Sequence, residues 1–149
     1  MVQGSDSSEV ALLSIHPKYA KAILSGDKKV EFRKQPFRKG VSIVVIYATA
    51  PVSQVIGFFT VKGIHVSTPT EIWNRFSSVG EISRKEYREY YSGKESAVAI
   101  QIEEARAFSS PIDLSEMKAV AAPPQNFVYL CNKSRDVLWG ERAPSEGAS

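Results

Sequence analysis

The sequence contains few residues that bind metals or form disulfides. Cys131 is the only cysteine among 149 residues, so an internal disulfide is excluded. His16 and His65 are the only histidines, which leaves a zinc site with few soft ligands. We therefore expect no structural metal and no bound cofactor.

Long hydrophobic runs are also missing. The longest nearly apolar stretch, Ser42–Pro51, holds about ten residues, roughly half of what a membrane-spanning helix requires. The segment Met1–Glu9 is polar and acidic, and it lacks the charged start and apolar middle of a signal peptide. These two absences predict a cytoplasmic protein with no membrane partner.

Three common catalytic motifs do not occur. The sequence has no glycine-rich phosphate loop, no H-E-x-x-H and no G-x-S-x-G. These absences exclude nucleotidases that grip phosphate with such a loop, zinc proteases of the H-E-x-x-H type and serine hydrolases with a nucleophile elbow.

Positive charge is concentrated in one part of the chain, although the whole sequence carries a net charge of only +3. Between Pro17 and Gly40, eight Lys or Arg residues stand against two acidic residues, so this segment carries +6 and the remainder carries −3. A protein that docks on phosphates shows this kind of asymmetry. A solvated charged surface gives the same pattern and stays open as the alternative.

The hydrophobic spacing predicts an α+β architecture. After Pro17, apolar side chains at Tyr19, Ile23 and Leu24 recur at helical spacing, and Gly26 ends that helix. β-type runs follow, either alternating or continuously apolar. They predict strands at Lys28–Arg33, Ser42–Tyr47, Val55–Ile64, Ala97–Ile102 and Phe127–Leu130.

Two further helices are marked by capping boxes. Thr68–Glu71 and Ser83–Glu86 each place a Glu three residues after a Ser or Thr, so that both side chains can satisfy free backbone amides at a helix start. Gly93 is expected to end the second helix. The segment Asp113–Glu116 can cap a single turn. Prolines break the remainder of the chain into loops, at Pro111, Pro123 and Pro124.

The length fits one domain that buries its own core. Residues 10–142 would form this domain, with Met1–Glu9 and residues 143–149 as disordered tails. Gly57 and Gly63, inside a predicted strand, suggest bulges that curl the sheet. We expect a monomer with five or six strands in a barrel-like arrangement and short helices inserted among them.

One motif lies at the junction between the first predicted helix and the strand that follows. Gly26–Arg33 has the form G-x-K-x-x-E-x-R, and with it the chain resembles the ASCH domains of the PUA-like superfamily. Other segments look like parts of bacterial stand-alone members, and the likeness runs from about Leu12 to Leu130. These segments are Leu13–Ala20, Ile46–Pro51, Tyr90–Lys94 and Pro123–Phe127.

The resemblance implies a PUA-like β-pseudobarrel with a cleft whose wall carries the motif, and a role in RNA-associated processes. Some branches of the family look like nucleases, and others look like hydrolases that deacylate a modified cytidine. The deacylating branch has a Thr where this chain has Glu31, which argues against that activity here. Only Lys28, Glu31 and Arg33 are carried over from the family as site residues.

The candidate site residues fall into three groups. Lys28 and Glu31 are the candidate catalytic pair if the protein is an enzyme, and Lys28 joins the site only if the strand begins after it. Each of the others has a structural alternative, such as core packing for Tyr47 or turn chemistry for Gln125. The candidate ligand contacts are Arg33, Tyr47, Lys94, Gln125, Ser14 and His16, and the candidate phosphate contacts are Lys29, Lys34, Arg38 and Lys39.

Three functions remain open. The first is an RNA-binding or nucleotide-binding module that holds a base in a charged cleft. The second is a metal-independent hydrolase acting on RNA or on an acylated modified nucleoside. The third is a DNA-binding regulator that uses Pro69–Phe76 and Ser83–Tyr91 as a helix-turn-helix, although the connection between them is longer than usual.

Overall fold

The computed structural model describes residues 9–117, 120 and 122–141 of the chain. Strands and helices alternate along much of it, and short 3-10 turns lie at Ser77–Val79 and Leu114–Glu116. The strands are β1 (Glu9–Ile15), β2 (Val30–Arg33), β3 (Val41–Ala48), β4 (Gln54–Ser67), β5 (Ala97–Ile112) and β6 (Phe127–Tyr129). The helices are α1 (Pro17–Ser25), α2 (Pro69–Phe76), α3 (Arg84–Tyr90) and α4 (Asn132–Asp136), and α4 leads into a π turn, Val137–Glu141.

The six strands form one mixed sheet in the order β2-β5-β4-β3-β1-β6. The β1–β3 pair is parallel and the other pairs are antiparallel. Register shifts next to Gly57 and Gly63 confirm the predicted bulges and let the long β4–β5 ribbon curl. Gly57 is required for a second reason, because a Cβ there would lie 2.6 Å from the Arg106 carbonyl oxygen.

Apolar side chains cover both faces of the sheet. On one face, Ala11 and Leu13 of β1 pack with Ile23 of α1. On the other face, Leu12 of the same strand packs with Leu138, which follows α4. This division follows the two-residue period of a strand, which sends alternate side chains to opposite faces. A third cluster lies under α2 and α3 and includes Val30, Phe32, Ile72, Tyr87 and Ala99.

Several predicted elements are longer or shorter than expected. The strand predicted at Ala97–Ile102 continues to Ile112, because β5 stays paired with β4 as far as Ala107 and pairs again at Ile112, next to Pro111. The apolar run before His16 is β1, and it begins at Glu9, a residue assigned to the predicted tail. Helix α4 was not predicted. The remaining residues of the two predicted tails lie outside the described part of the chain.

The helix starts follow the predicted signals only in part. The hydroxyl oxygens of Thr68 and Ser83 accept hydrogen bonds from the amides of Glu71 and Glu86, at 3.1 and 3.0 Å. The two glutamates use their carboxylates elsewhere: Glu71 accepts a bond from Ser67, and Glu86 reaches α1. Asp113 and Glu116 do form a complete capping box. No helix within residues 9–117 and 122–141 is long and apolar enough to cross a membrane.

Candidate functional site

The junction between α1 and β2 sets the geometry of the candidate site. Gly26 ends α1 at φ +90°, a left-handed conformation that glycine adopts without steric cost. The Lys28 amide then donates to the Ala22 carbonyl at 3.0 Å, and regular strand begins only at Val30. Lys28 therefore precedes the strand and does not follow its alternation, so its side chain can share a cleft with Glu31. The sequence analysis had required a strand that begins after Lys28 for this residue to join the site.

The cleft lies between α1, β2 and α3 and has a volume of about 490 Å³. Its walls combine charged groups with aromatic rings, so they offer ion pairing, hydrogen bonds and stacking together. The lining residues are His16, Tyr19, Lys28, Glu31, Phe32, Arg33, Ile82, Glu86, Glu89 and Tyr90.

Lys28 is buried in the wall of this cleft, with only 2% of its surface exposed. Its Nζ donates to the Gly80 carbonyl at 2.5 Å and lies 4.8 Å and 5.1 Å from the ring centres of Tyr19 and Phe32. Burial lowers the pKa of Lys28 below its usual 10.5, and the nearby Glu31 carboxylate opposes that shift. A buried ammonium beside a carboxylate in a cleft is a candidate functional group.

Glu31, which is buried, and Arg33, which is half-buried, form an ion pair on β2. Arg33 Nη1 donates to Glu31 Oε2 at 3.1 Å, and Nη2 donates to Asn126 Oδ1 at 2.5 Å. Nη1 also donates to the Ser14 carbonyl at 3.3 Å, whereas Arg33 Nε is buried with no partner among the described residues. Arg33 thus connects β2 to β1 and to the loop before β6. Within the described chain, Glu31 Oε1 has no hydrogen-bond partner and stays available to a ligand.

A second network holds the opposite wall. Glu86 accepts hydrogen bonds from Lys18 Nζ at 2.7 Å and from the Tyr19 hydroxyl at 3.0 Å, which ties α3 to α1. Burial, together with the bond to Glu86, raises the pKa of Tyr19 to about 12. Tyr19 is therefore a protonated phenol at neutral pH. The same two hydrogen bonds lower the pKa of Glu86.

The structure brings four of the predicted site residues together at the cleft: His16, Lys28, Glu31 and Arg33. His16 also caps α1, where its Nδ1 accepts from the Lys18 amide at 3.1 Å. Ser14 lies behind Arg33, and its hydroxyl donates to the Pro124 carbonyl at 2.6 Å.

The other predicted ligand contacts lie elsewhere. Tyr47 is 5% exposed and packs in the core with Val45 and Leu12, so the alternative of core packing holds and stacking on a base from this position does not. Gln125 is exposed on the loop before β6, next to Asn126, which makes the contact to Arg33. Lys94 lines a separate groove between α2 and α3.

The four predicted phosphate contacts lie at three different places on the surface, and only one of them is next to the cleft. Lys34 lies at the cleft rim, with its Nζ 4.6 Å from the ring centre of Tyr90. Lys29 donates to the Gly26 carbonyl at 3.0 Å on the α1 side. Arg38 and Lys39 lie near β6, where their amides donate to the Tyr129 hydroxyl at 3.0 and 3.2 Å.

Sequence reasoning missed the aromatic and acidic half of the cleft. The sequence pattern indicated Tyr19 as an apolar position of the first helix and Glu86 as a capping group, and it gave Tyr90 no role of its own. The signal was present in two segments assigned to the resemblance, Leu13–Ala20 and Tyr90–Lys94, but nothing local showed that they meet. Among the described residues, no three His, Cys, Asp or Glu side chains are grouped so that they could hold a metal ion.

Comparison with protein families identifies the class of protein that this fold and cleft define. The model of the ASCH domain matches residues 13–106, and the matched region contains Lys28, Glu31 and Arg33. The chain belongs to the ASCH family, and its six-stranded mixed sheet with inserted helices is the α+β pseudobarrel of the PUA-like superfamily.

Two relatives from Zymomonas mobilis agree with this assignment, and a third similar protein carries a different name. The ASCH domain-containing ribonuclease of Zymomonas mobilis subsp. mobilis is 36% identical over 124 residues, which cover 80% of this chain and 83% of the relative. The crystal structure of ASCH from Zymomonas mobilis has a TM-score of 0.84 at 33% identity, covering 91% of this chain and 97% of that one. The large ribosomal subunit protein uL22 of Ureaplasma parvum is 32% identical over 126 residues, which cover 84% of this chain and 40% of that protein.

Proposed function

We propose that this chain binds single-stranded RNA, or a nucleotide-like ligand, and holds one base in the cleft between α1, β2 and α3. The observation that carries the proposal is Glu31. It is a buried carboxylate that keeps Oε1 without a partner among the described residues while Arg33 satisfies Oε2. A free carboxylate oxygen accepts hydrogen bonds from a base edge or a ribose hydroxyl, and such charged bonds are the stronger ones.

The walls of the cleft around Glu31 Oε1 can also contact a bound base and its phosphate. Tyr19 and Tyr90 supply aromatic surfaces on which bases stack without sequence preference. Lys34 lies at the rim beside Tyr90, where its ammonium can meet a phosphate. The ribonuclease name of the Zymomonas mobilis relative supports RNA as the nucleic acid.

DNA binding through α2 and α3 receives less support. The connection between these helices contains a 3-10 turn, Ser77–Val79, which makes it longer than the usual turn of a helix-turn-helix. Tyr87 of α3 is buried against Phe32, so part of this helix serves the core.

RNA binding is expected to weaken with salt, because the segment Pro17–Gly40 carries a net charge of +6. Contact with about three to five phosphates of a single strand predicts a slope of roughly −2 to −3.5 in log affinity against log salt. Fluorescence anisotropy with labelled RNA at several salt concentrations measures this slope. Salt-independent binding, or no binding at low salt, contradicts the proposal.

A second function is RNA cleavage, which the ribonuclease name of the same relative and the buried Lys28 favour. We propose that this cleavage needs no metal ion. In this reaction the ribose 2′ oxygen attacks the adjacent phosphorus, its proton passes to Glu31, and the bond to the 5′ oxygen of the next nucleotide breaks. The Lys28 ammonium stabilises the negative charge that develops on the phosphoryl oxygens. The departing 5′ oxygen takes a proton from water, and Glu31 returns its own proton to the solvent. The products are a 2′,3′-cyclic phosphate and a free 5′ hydroxyl.

Cleavage is expected to persist in EDTA and to need the 2′ hydroxyl. Incubating the protein with RNA, with DNA of the same sequence and with 2′-O-methyl RNA, followed by mass spectrometry, tests both points. Cyclic-phosphate products should come from RNA alone. The same assay with acylated nucleosides tests for deacylation. Loss of cleavage in EDTA, or cutting of the 2′-O-methyl strand, is incompatible with this mechanism.

A further inference from the structure

A second groove lies between α2 and α3, separate from the cleft, with a volume of about 430 Å³. It combines three basic side chains with three aromatic rings, and none of the described residues that line it is acidic. The basic and aromatic residues are Trp73, Arg84, Tyr87, Arg88, Tyr91 and Lys94. Lys94 is one of the predicted ligand contacts that lie outside the cleft.

The basic groups of this groove are free, whereas those of the cleft are paired. Arg84, Arg88 and Lys94 are exposed, and their charged side chains make no ion pair or hydrogen bond with another described residue. In the cleft, by contrast, Arg33 binds Glu31 and Lys28 binds a carbonyl. Exposed cations with no acidic neighbour in a groove attract an anion, and RNA phosphates are the anions of the proposed function.

Hydrogen bonds hold the floor of the groove in place. The Tyr87 hydroxyl donates to the Pro69 carbonyl at 2.7 Å, which ties α3 to α2. The Tyr91 hydroxyl donates to the Arg33 carbonyl at 2.7 Å, which ties the same floor to β2 and therefore to the wall of the cleft. Trp73 lies half-buried on Tyr87, with 4.8 Å between ring centres, and presents an indole to the groove. A ring held in this way offers a preorganised stacking surface.

Helix α3 separates the two sites and presents a different face to each. Arg84, Tyr87 and Arg88, spaced three and four residues apart, line the groove. Glu86, Glu89 and Tyr90 line the cleft. A strand that passes over the helix crosses about 10–12 Å. At roughly 3.4 Å per stacked nucleotide, this distance corresponds to about three or four nucleotides.

We propose that the groove is a second subsite for the same RNA strand, in which Arg84 and Arg88 bind phosphates and the Trp73 ring stacks on a base. This inference rests on the proposed RNA-binding function. It predicts that one RNA strand contacts the protein at two separate places, the cleft and the groove. A trinucleotide fits the cleft alone, whereas a decamer reaches both sites.

Replacing both arginines, Arg84→Gln with Arg88→Gln, tests the subsite. Decamer affinity should fall about ten- to thirtyfold and the salt slope should become shallower by about 1.4, because two phosphate contacts are lost. Trinucleotide affinity should stay within about twofold. The matched control is Arg75→Gln with Lys85→Gln, which removes the same charge from α2 and α3 at positions that line neither site. It should change decamer affinity by less than about threefold.

Tryptophan fluorescence supplies a readout of stacking. The chain has two tryptophans, and Trp139 packs against Phe58 in the core, so Trp139→Phe leaves Trp73 as the single indole reporter. The decamer should quench this fluorescence and the trinucleotide should not. Quenching should be lost with the double arginine variant at subsaturating decamer.

The outcomes separate the subsite from the proposed function. Equal loss of affinity for both RNA lengths, equal loss in the control variant, or no loss at all overturns the subsite while leaving RNA binding in the cleft intact. If the wild-type protein binds neither RNA length, the proposed function fails and the subsite fails with it.

Discussion

Replacing Glu31 by glutamine is expected to weaken RNA binding by about 1.5 to 3 kcal/mol, roughly ten- to a hundredfold, because a hydrogen bond to a charged oxygen is lost. The substitution keeps the shape of the side chain, and the amide oxygen can still accept from Arg33. The lost contact is therefore the one that Oε1 offers to a ligand. Titration of labelled RNA against the purified variant measures the change.

The same variant separates three roles of Glu31. If Glu31 is the general base, turnover falls by about a hundredfold or more while affinity barely changes. If it is only the structural partner of Arg33, the melting temperature falls and the affinity of the folded protein stays intact. Glu103→Gln, an identical change at an exposed position of β5, is the matched control. Unchanged affinity with a lowered melting temperature would show that Glu31 is not a ligand contact.

Replacing Lys28 by methionine is expected to slow RNA cleavage by about a hundredfold or more, since one preorganised charge near a developing oxyanion contributes on this scale. Methionine nearly preserves the length of the side chain and its contacts with Tyr19 and Phe32. Lys62→Met is the matched control, because Lys62 is exposed on β4 and lines neither the cleft nor the second groove. Rates that differ by less than about threefold between the two variants would exclude a catalytic role for Lys28.

The pH dependence gives an independent test of Lys28. Burial lowers the pKa of Lys28, so cleavage should decline with rising pH in a window that starts below 10.5, and the methionine variant should lack this decline. The folded protein also binds this proton less tightly than the unfolded chain does. The wild type should therefore gain stability relative to the variant as pH rises from the lowered pKa to 10.5. Melting curves of both proteins across this range measure that difference.

Local signals predicted most of the elements correctly. Pro17 and Gly26 bound α1, and Thr68 and Ser83 start α2 and α3, because caps and fixed dihedral angles depend on a few neighbouring residues. The length of β5 was not predictable in this way. Its second half, from Glu103 to Ile112, has little apolar alternation, and it is a strand because β4 pairs with Glu104–Ala107 and again with Ile112.

The candidate site also has a part that local sequence predicted and a part that depends on tertiary packing. The motif Gly26–Arg33 identified Lys28, Glu31 and Arg33, and the structure brings all three to the cleft. The sequence left two interpretations open for Tyr47, base stacking and core packing, because a strand ending in an aromatic residue looks alike whether its last side chain faces a cleft or the core. The face is decided by the register with β1, which sends Tyr47 to the side of Leu12.

The sequence by itself determined the α+β class, the helix starts, the basic segment and the three charged residues of the motif, because each depends on residues close together in the chain. Only the tertiary structure decided what surrounds them. Tyr19 meets Glu86 across 67 positions, and Arg33 meets Asn126 across 93. Contacts at such separations follow from how the sheet pairs and how α3 packs over it. The cleft and the second groove exist only once that packing is complete.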